Sequence, residues 1–336
     1  MTERFACVTG VGSSLPDRVV TNADFERLID TSDEWIRRRT GIQARRFAGS
    51  GDTAASLAAS AASSALNAAR VDPAAIDVVI VATITGDQPM PSTASFVQQR
   101  LGISGPAFDV QAACAGFIYA LDIASARIRA GMDDTALVIG TEVLSRFLDM
   151  SDRTTCVLFG DGAGAAVLKP GDAPGVIESV LDADGRHADL LDIPAGGSRE
   201  PASEATVANR RHAIRMRDGQ EVFRRAVDAM SEAVGSLLEK HGFDADDVSL
   251  LVLHQANVRI IRAVADRLSL PMSRVFVDIV GVGNTSAASV PIALDEAWRA
   301  GRVEPGDLVV TAAVGAGLTW GANLVRWTAP HSGSSQ

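Results

Sequence analysis

Lysine is almost missing from this chain of 336 residues, since only Lys169 and Lys240 stand among its 31 basic residues. Enzymes that form a Schiff base with their substrate need a lysine amine, and the phosphate-binding loop GxxxxGK[ST] needs a lysine inside the motif. Neither lysine lies in such a motif. The sequence therefore leaves both functional classes with almost no candidate residue.

Cysteine is scarce as well, because Cys7, Cys114 and Cys156 are widely spaced and odd in number. This pattern is typical of a reducing compartment rather than of a disulfide framework. The first residues, MTERFACVTGVG, lack the basic, apolar and small-residue regions of a signal peptide. The most apolar helical stretch, AASLAASAASSALNAA, falls far short of the roughly 20 strongly apolar residues that span a bilayer. We expect a soluble, cytoplasmic protein without a membrane segment.

The chain also lacks the charge and the residue spacing of two common kinds of binding site. Its net charge of -10 argues against a nucleic-acid partner. Its five histidines are scattered, and Asp149, Asp152 and Asp161 do not have the spacing of metal ligands, so we predict no metal site. With 47% hydrophobic residues, the chain is expected to bury a large core.

The two halves of the chain resemble each other. The apolar run 76–84 (IDVVIVATI) is matched by 248–256 (VSLLVLHQA), and 107–131 is matched by 275–301, with anchor positions 167 to 173 residues apart. Chance similarity between two ordinary α/β segments is the alternative. The agreement in order, spacing and local residues favours an internal duplication.

A duplicated order of strands and helices predicts an α/β fold with two similar halves and largely parallel, buried sheets. We place the halves at residues 1–170 and 221–336. Residues 171–220 are less regular and rich in Gly, Pro and Arg, and we interpret them as a connecting or inserted region at the rim of the pocket. Two fused halves commonly bind a ligand where they meet.

Cys114 is the first candidate for chemistry, in the stretch DVQAACAGFIYAL. The pattern places the thiol at the start of a helix, where unpaired N–H groups and the helix dipole favour the thiolate form. Small residues around it permit a tight turn. A buried structural cysteine is the alternative, and a more common one for a free cysteine.

His254 and Asn284 are the other two candidates. His254 ends the apolar strand in LLVLHQAN, and strand ends are where α/β proteins bind ligands. Asn284, in GVGNTSAAS, occupies the turn of the second half that corresponds to the Cys114 turn. The alternatives are a structural histidine and a helix cap. If the three converge, they provide a nucleophile and two hydrogen-bonding groups for a carbonyl reaction.

Several motifs together point to a known family. DVQAACAGFIYAL, FGDGAGAAVL, HQANVRII, GNTSAAS and GAGLTWG stand in this order, and TSDEWIRRRTGI precedes them. The chain resembles the β-ketoacyl-acyl-carrier-protein synthase III family of the thiolase superfamily over nearly its whole length. The resemblance implies a duplicated thiolase-like fold of five layers, αβαβα, and a homodimer. It also implies transfer of an acyl group from acyl-CoA to a cysteine, then decarboxylating condensation with malonyl-carrier protein, with no tightly bound cofactor.

By the same resemblance, each motif residue has an expected role. The catalytic residues are Cys114, His254 and Asn284, and the backbone amides of Cys114 and Ala316 form the oxyanion hole. The residues expected to bind coenzyme A are Trp35, Arg39, Arg153 and Asn257. The residues expected to bind the carrier protein are Arg224, Arg259, Arg262 and Arg267. Met90 and Val314 are expected at the acyl pocket. Without the family, DEWIRRRTG is simply a solvated helix end.

The chain departs from the family pattern at Val282, Ala316 and Leu318. A flexible Met90 where an aromatic residue is common suggests an acyl group longer than acetyl. The preferred primer, the effect of the 195–217 insert and the pathway stay open. Two alternatives remain: a relative that primes a polyketide or transfers acyl groups in secondary metabolism, and a non-catalytic subunit of the same fold. The presence of Cys114 argues against the second.

Overall fold

The computed structural model describes residues 4–331. Its strands are β1 (Phe5–Ser14), β2 (Arg18–Thr21), β3 (Ala44–Phe47), β4 (Val78–Ala82), β5 (Ala107–Val110), β6 (Ala136–Glu142), β7 (Gly162–Gly171), β8 (Val176–Ala183), β9 (Leu191–Asp192), β10 (Arg215–Met216), β11 (Leu250–Leu253), β12 (Leu308–Gly315) and β13 (Thr319–Arg326). Its α-helices are α1 (Asn22–Glu26), α2 (Asp33–Thr40), α3 (Ala54–Ala69), α4 (Thr93–Leu101), α5 (Gly116–Arg129), α6 (Glu204–Ala208), α7 (Gly219–His241), α8 (Val258–Arg267), α9 (Ile279–Val282) and α10 (Ser289–Arg299).

The first sheet has the strand order β1-β7-β6-β4-β5. β4 runs parallel to β5 and β6, whereas β7 is antiparallel to β6 and β1. Every residue of β4 and β6 is buried, which explains their unbroken apolar sequences, because a strand covered on both faces needs no alternation.

The second sheet repeats this arrangement with the order β11-β12-β13-β8. β11 and β12 are parallel, and β13 is antiparallel to β12 and β8, as their counterparts are in the first sheet. The position that corresponds to β5 holds a single parallel bridge between Leu251 and Val275. The predicted duplication is confirmed, with a full fifth strand in the first half only.

Helices fill three layers around the two sheets. α5 and α10 contact strands of both sheets and form the central layer. α3 and α4 cover the outer face of the first sheet, and α7 covers the second together with α8, which packs beside it. One apolar cluster joins β-strand residues of both sheets with α5 and α10. The predicted five-layer αβαβα architecture is confirmed.

The two central helices begin in the same way. A 3₁₀ turn at Ala113–Ala115 leads into α5, and one at Ser286–Ala288 leads into α10, so equivalent positions lie 173 residues apart, as the sequence repeat predicts. Ala113 and Ser286 both have a positive φ, of 46° and 52°. Such angles are uncommon for residues other than glycine and concentrate at functional sites. The two turns pack against each other.

Residues 171–220 are more than a connection. They contribute β8, an edge strand of the second sheet, before the short β9–β10 pair and α6. β8 was hard to recognise because its residues VIESVLDA are mostly half-buried and follow a stretch rich in Gly and Pro. The predicted division at residues 170 and 220 stays a prediction, although α7 begins at Gly219, close to the second boundary.

Candidate active site

A cavity of about 630 Å³ opens where β11 and β12 end and the two central turns meet. Its volume falls in the range of about 300–1,000 Å³ that ligand pockets commonly have. Cys114, His254 and Asn284 all line it. The duplication therefore brings together three residues that lie up to 170 positions apart in the sequence.

Cys114 is held by close backbone contact with the end of β12. A Cβ atom at Gly315 would lie 2.7 Å from both the Ala112 carbonyl oxygen and the Cys114 nitrogen, so a side chain at this position would collide with the turn. Thr319 fixes the same turn from β13, since its hydroxyl donates to the Ala112 carbonyl oxygen at 2.8 Å. The thiol is thus placed by backbone atoms, and it is 8% exposed.

The Cys114 thiol does not have the lowered pKa that the sequence predicts. Burial raises its pKa to about 12, and the neighbouring Ser286 side chain offsets only part of this effect. The prediction was wrong because it counted the helix dipole and not the loss of water, and because α5 begins only at Gly116, two residues later. Cys114 is a protonated thiol at neutral pH, so it must lose a proton when it reacts.

His254 is buried and neutral. Burial lowers its pKa to about 4. Its Nδ1 lies 2.7 Å from the Ser289 hydroxyl oxygen, and that oxygen also accepts the Gln255 N–H at 3.4 Å. If the Ser289 hydroxyl donates to Nδ1, the single proton of the neutral imidazole lies on Nε2.

Asn284 is anchored by its backbone and by one side of its amide. Its N–H donates to the Leu158 carbonyl oxygen, and its carbonyl oxygen accepts from Gly160, both at 2.9 Å. Its Oδ1 accepts the Ser286 N–H at 2.9 Å, which caps the turn before α10. The capping interpretation and the catalytic one are therefore compatible. The Nδ2 amide group is left as a donor for the cavity.

The predicted coenzyme A residues gather at the mouth of the cavity. The guanidinium carbons of Arg39 and Arg153 lie 5.0 Å and 5.2 Å from the centroid of the Trp35 ring. Asn257 caps α8 through the Arg259 N–H, and its amide donates to the Arg39 carbonyl oxygen at 3.0 Å. The cavity is lined by all four of these residues: Trp35, Arg39, Arg153 and Asn257.

The four predicted carrier-protein arginines differ in how far acidic neighbours neutralise them. Arg224 pairs with Glu221 and Asp228, and Arg267 pairs with Asp228 as well. Arg259 lies over the Phe223 ring at 5.5 Å. Neither Arg259 nor Arg262 forms an ion pair within residues 4–331.

The acyl-pocket residues lie in different places. Val314 lines the cavity, whereas Met90 is 82% exposed and does not line the cavity of its own chain. Sequence reasoning missed an apolar wall of Leu158, Phe159 and Leu191. Phe159 belongs to a buried cluster with Leu144 and Ile214. The FGDG motif contains Phe159, but its glycines indicate only a turn, so the motif did not predict that the phenylalanine lines the cavity.

Residues near both ends of the predicted 195–217 insert line the cavity. Leu191 precedes it, and Met216, Arg217 and Gly219 at its other end line the rim. Of the departures from the family pattern, Ala316 and Leu318 line the cavity. Val282 is buried in α9, where its carbonyl oxygen would lie 2.4 Å from a Cβ at Gly160.

Comparison with known sequences identifies a family. The profile described as 3-Oxoacyl-[acyl-carrier-protein (ACP)] synthase III matches residues 108–185, and that for the C-terminal part of the same enzyme matches residues 238–327. The chain is 47% identical over 327 residues to the Beta-ketoacyl-[acyl-carrier-protein] synthase III of Roseiflexus sp. (strain RS-1), which is 97% of this chain and 99% of that protein. It is 51% identical over 322 residues to the synthase of Symbiobacterium thermophilum, covering 95% and 97%.

Solved structures agree. The 3-oxoacyl-[acyl-carrier-protein] synthase III from Aquifex aeolicus VF5 superposes with a TM-score of 0.89 at 46% identity, covering 96% of this chain and 100% of that one. The priming β-ketosynthase of the R1128 polyketide pathway superposes with a TM-score of 0.91 at 39% identity, covering 98% of both chains. These matches confirm the resemblance carried by the motifs.

The burial of His254 predicts an unusual titration. Because its pKa is lowered to about 4 in the folded chain, the unfolded chain binds more protons between about pH 4 and pH 6.5. The folded state should therefore lose stability as the pH falls through this range. Nuclear magnetic resonance of ¹⁵N-labelled histidine should show one imidazole, absent from His254→Gln, that stays neutral at pH 5 with its proton on Nε2. A His254 titration near pH 6.5 would contradict the burial.

Proposed function

The chain belongs to the β-ketoacyl-[acyl-carrier-protein] synthase III family, and we propose that it joins an acyl group from acyl-coenzyme A to malonyl-carrier protein with loss of CO₂, which starts fatty-acid synthesis. The observation that carries this function is the convergence of Cys114, His254 and Asn284 in one cavity. A thiol beside two neutral N–H donors suits acyl transfer followed by formation of an enolate. Identities of 46–51% over nearly the whole chain support it.

In the first step, the sulfur of Cys114 attacks the thioester carbonyl of the acyl-coenzyme A. The carbonyl oxygen becomes negatively charged and needs donors that are already in place. The Cys114 and Ala316 amides suit this role, because neither donates to a carbonyl oxygen within residues 4–331. The carbon–sulfur bond of the coenzyme A thioester then breaks, and the acyl group stays on Cys114.

In the second step, malonyl-carrier protein loses CO₂ and the remaining thioester becomes an enolate. His254 donates through Nε2–H and Asn284 through Nδ2–H to the enolate oxygen, each oriented by the hydrogen bonds that hold the rest of the side chain. A neutral imidazole is a suitable donor here, because it keeps its proton while the charge develops. The enolate carbon attacks the acyl group on Cys114, and the cysteine thiolate leaves.

Coenzyme A binds at the mouth of the cavity, with its adenine between Trp35 and Arg153 and its phosphates at Arg39. Two stacked contacts of about 3.5 Å each need about 7 Å between ring and guanidinium. The Arg153 guanidinium lies 5.2 Å from the ring centroid and hydrogen-bonds to the Asp30 carbonyl oxygen. Arg153 is exposed, so we expect it to swing outward when the base binds. The pantetheine arm passes Asn257 on its way to Cys114.

The active form is a homodimer. β5 pairs with β4 on one side, and within the described residues its other edge carries no strand. An open edge is a template for a second strand, and Phe108 on it is half-buried. Met90 lies in an exposed loop just before α4, the helix that packs on β5. In the dimer, Met90 closes the acyl pocket of the partner subunit.

The enzyme is cytoplasmic and uses no tightly bound cofactor or metal. Its three cysteines are unpaired, as a reducing compartment favours. No helix in residues 4–331 is long and apolar enough to cross a membrane. In the same residues, no cluster of three or more His, Cys, Asp or Glu side chains is arranged to hold a metal ion.

Priming of a polyketide is the second candidate function. It is favoured by the match to the R1128 priming β-ketosynthase. The identity of 39% to that enzyme is lower than the identities of 47% and 51% to the two Beta-ketoacyl-[acyl-carrier-protein] synthase III sequences compared above. Primer choice separates the two functions.

The division of labour among the three catalytic residues is testable by intact-protein mass spectrometry. Cys114→Ala should take up no acyl group from acyl-coenzyme A, whereas Cys156→Ala, which removes another buried thiol, should still do so. His254→Ala and Asn284→Ala should retain most of the acylation but lose at least about 10²-fold in CO₂ release from malonyl-carrier protein, because each removes a donor to the enolate. Acylation of Cys114→Ala would refute the nucleophile.

Carrier-protein binding should depend on the unpaired arginines. Arg259→Glu and Arg262→Glu should each raise the KM for malonyl-carrier protein by roughly 10-fold and leave acylation by acyl-coenzyme A unchanged, since a charge at the rim acts on encounter with an acidic partner. Arg224→Glu and Arg267→Glu should act less, because Asp228 already neutralises them in part. Arg100→Glu, exposed on α4, is the control. Equal effects of all five changes would contradict a local docking site.

Primer length should depend on Met90. In a competition assay, four- to eight-carbon acyl-coenzyme A should compete well with acetyl-coenzyme A, because a flexible Met90 adapts to a longer chain. Met90→Trp should shift the preference toward acetyl by about 10-fold or more. Met132→Trp, at another exposed methionine, is the control. A strong acetyl preference in the unaltered enzyme would refute this assignment.

A further inference from the structure

Glu142, the last residue of β6, is a fully buried carboxyl group that the proposed reaction leaves without a role. It forms no ion pair with a Lys, Arg or His within residues 4–331. It is surrounded instead by five neutral donor groups: the Thr83 hydroxyl at 3.3 Å, the Ile84 N–H at 3.2 Å, the Thr85 N–H at 3.1 Å and hydroxyl at 2.5 Å, and the Ser286 hydroxyl at 3.1 Å. Burying a carboxyl group costs free energy, and the hydrogen bonds to both oxygens of Glu142 offset part of that cost.

Ser286 connects this carboxyl group to the nucleophile. Its hydroxyl donates to Glu142 Oε1 at 3.1 Å, and its turn packs directly against the turn that carries Cys114, where Ser286 lowers the pKa of the thiol. Ser286 is 1% exposed. Its backbone adopts the left-handed conformation at φ 52°, a strained geometry that the turn before α10 maintains. The Ser286 hydroxyl is therefore a buried group that bonds to Glu142 and lies next to the turn of Cys114.

The proposed reaction needs a proton to leave Cys114 and to return to it. Cys114 is a protonated thiol at rest, and it loses its proton when it takes the acyl group. The same sulfur leaves as a thiolate when the enolate attacks, and it then needs a proton again. A group that accepts the proton in the first step and returns it in the second would serve both.

We infer that Glu142 accepts the Cys114 proton through the Ser286 hydroxyl during acylation and returns it by the same path during condensation. This inference rests on the proposed acyl transfer to Cys114. Glu142 does not touch the reacting atoms, so its role is to set the protonation state of the nucleophile through Ser286.

The protons and bonds balance over the two steps. In the first, the Cys114 S–H proton passes to the Ser286 oxygen while the Ser286 proton passes to Glu142 Oε1. The sulfur bonds to the acyl carbon, and the coenzyme A thiolate leaves and takes a proton from solvent. In the second, the enolate bonds to the acyl carbon, the Cys114 thiolate leaves, and the two proton transfers reverse. One solvent proton is consumed per turnover and Glu142 ends ionised, as it began.

The chemistry of Glu142 suits this exchange. Burial raises its pKa to about 7, against the opposing effect of its hydrogen-bond donors. A proton acceptor works best with a pKa near the working pH. The groups that hydrogen-bond to Glu142 are uncharged, and the titratable group that its charge acts on is Cys114, whose pKa it raises. Oε2 keeps its donors from Thr83 and Thr85 when Oε1 is protonated.

A purely structural role is the competing explanation, and the chain provides a matched control for it. Asp161 is also 0% exposed, and it accepts the Ala48 N–H and the Ser145 N–H and hydroxyl. Burial raises its pKa too. It does not line the cavity. Asp161→Asn therefore makes the same chemical change, from a buried carboxyl to an amide, away from the nucleophile.

Rapid-quench mass spectrometry of the full-length enzyme with acyl-coenzyme A tests the relay. Glu142→Gln and Ser286→Ala should be acylated about 10²-fold more slowly at pH 7, the usual contribution of general-base help. Asp161→Asn should be acylated at the unaltered rate. Failure of the unaltered enzyme to be acylated at Cys114 would refute the proposed function itself, whereas acylation of Glu142→Gln at the full rate would overturn only this inference.

Two further readouts separate proton transfer from a structural effect. The acylation rate of the unaltered enzyme should fall about 10-fold per pH unit below pH 7, where Glu142 becomes protonated, and level off above it. Glu142→Gln should lack this break and keep rising with pH as free thiolate forms. Infrared difference spectra of acylated minus free enzyme should show a newly protonated carboxyl group in Asp161→Asn and not in Glu142→Gln. A slow Glu142→Gln with an unshifted pH profile and no loss of that band would overturn the relay.

Discussion

Exclusion of water from the junction of the two halves is the constraint on which the active site depends. It moves all three ionisable groups there toward their neutral forms: the pKa values of Cys114 and Glu142 rise, and that of His254 falls. Apart from the Glu142 carboxylate, charge in the proposed reaction therefore appears only as bonds form and break, and each charge needs a donor or acceptor that is already oriented. Two hydroxyls at the start of α10 provide that orientation: Ser286 hydrogen-bonds to Glu142, and Ser289 hydrogen-bonds to His254.

The duplicated fold excludes water from this junction because its backbone segments pack closer together than larger side chains would permit. The turns before α5 and α10 pack directly against each other and against the ends of β6 and β12. A Cβ at Gly140 would lie 2.2 Å from the Ala287 carbonyl oxygen, much as one at Gly315 would strike the Cys114 turn. Small residues in both motifs, AACAG and NTSAAS, are thus a packing requirement of the junction as much as a property of catalysis.

The fold, and the convergence of Cys114, His254 and Asn284 in one cavity, could be predicted from the sequence because both depend on local patterns that occur twice. The apolar strand runs, the repeat spacing and the residues at strand ends can be recognised in the sequence without knowledge of the tertiary contacts. The protonation state of Cys114 was predicted wrongly for the opposite reason: desolvation comes from distant segments that no local pattern reveals. Glu142 escaped notice because GTE reads as an ordinary strand end, and Ser286 because Asn284 beside it offered a sufficient explanation of the motif. Phe159 and Leu191 reach the cavity only through the tertiary fold.

The two sheets differ in one respect that bears on assembly. The first sheet ends in a full strand, β5, with an open edge, whereas the second has at the equivalent position only the bridge between Leu251 and Val275. A protein with two such equivalent edges could add copies without limit, as filaments do. With a full strand in only one repeat, each copy has one edge of this kind within residues 4–331. In the homodimer proposed above, two copies joined at β5 would cover both such edges, so the asymmetry between the repeats would keep the assembly finite.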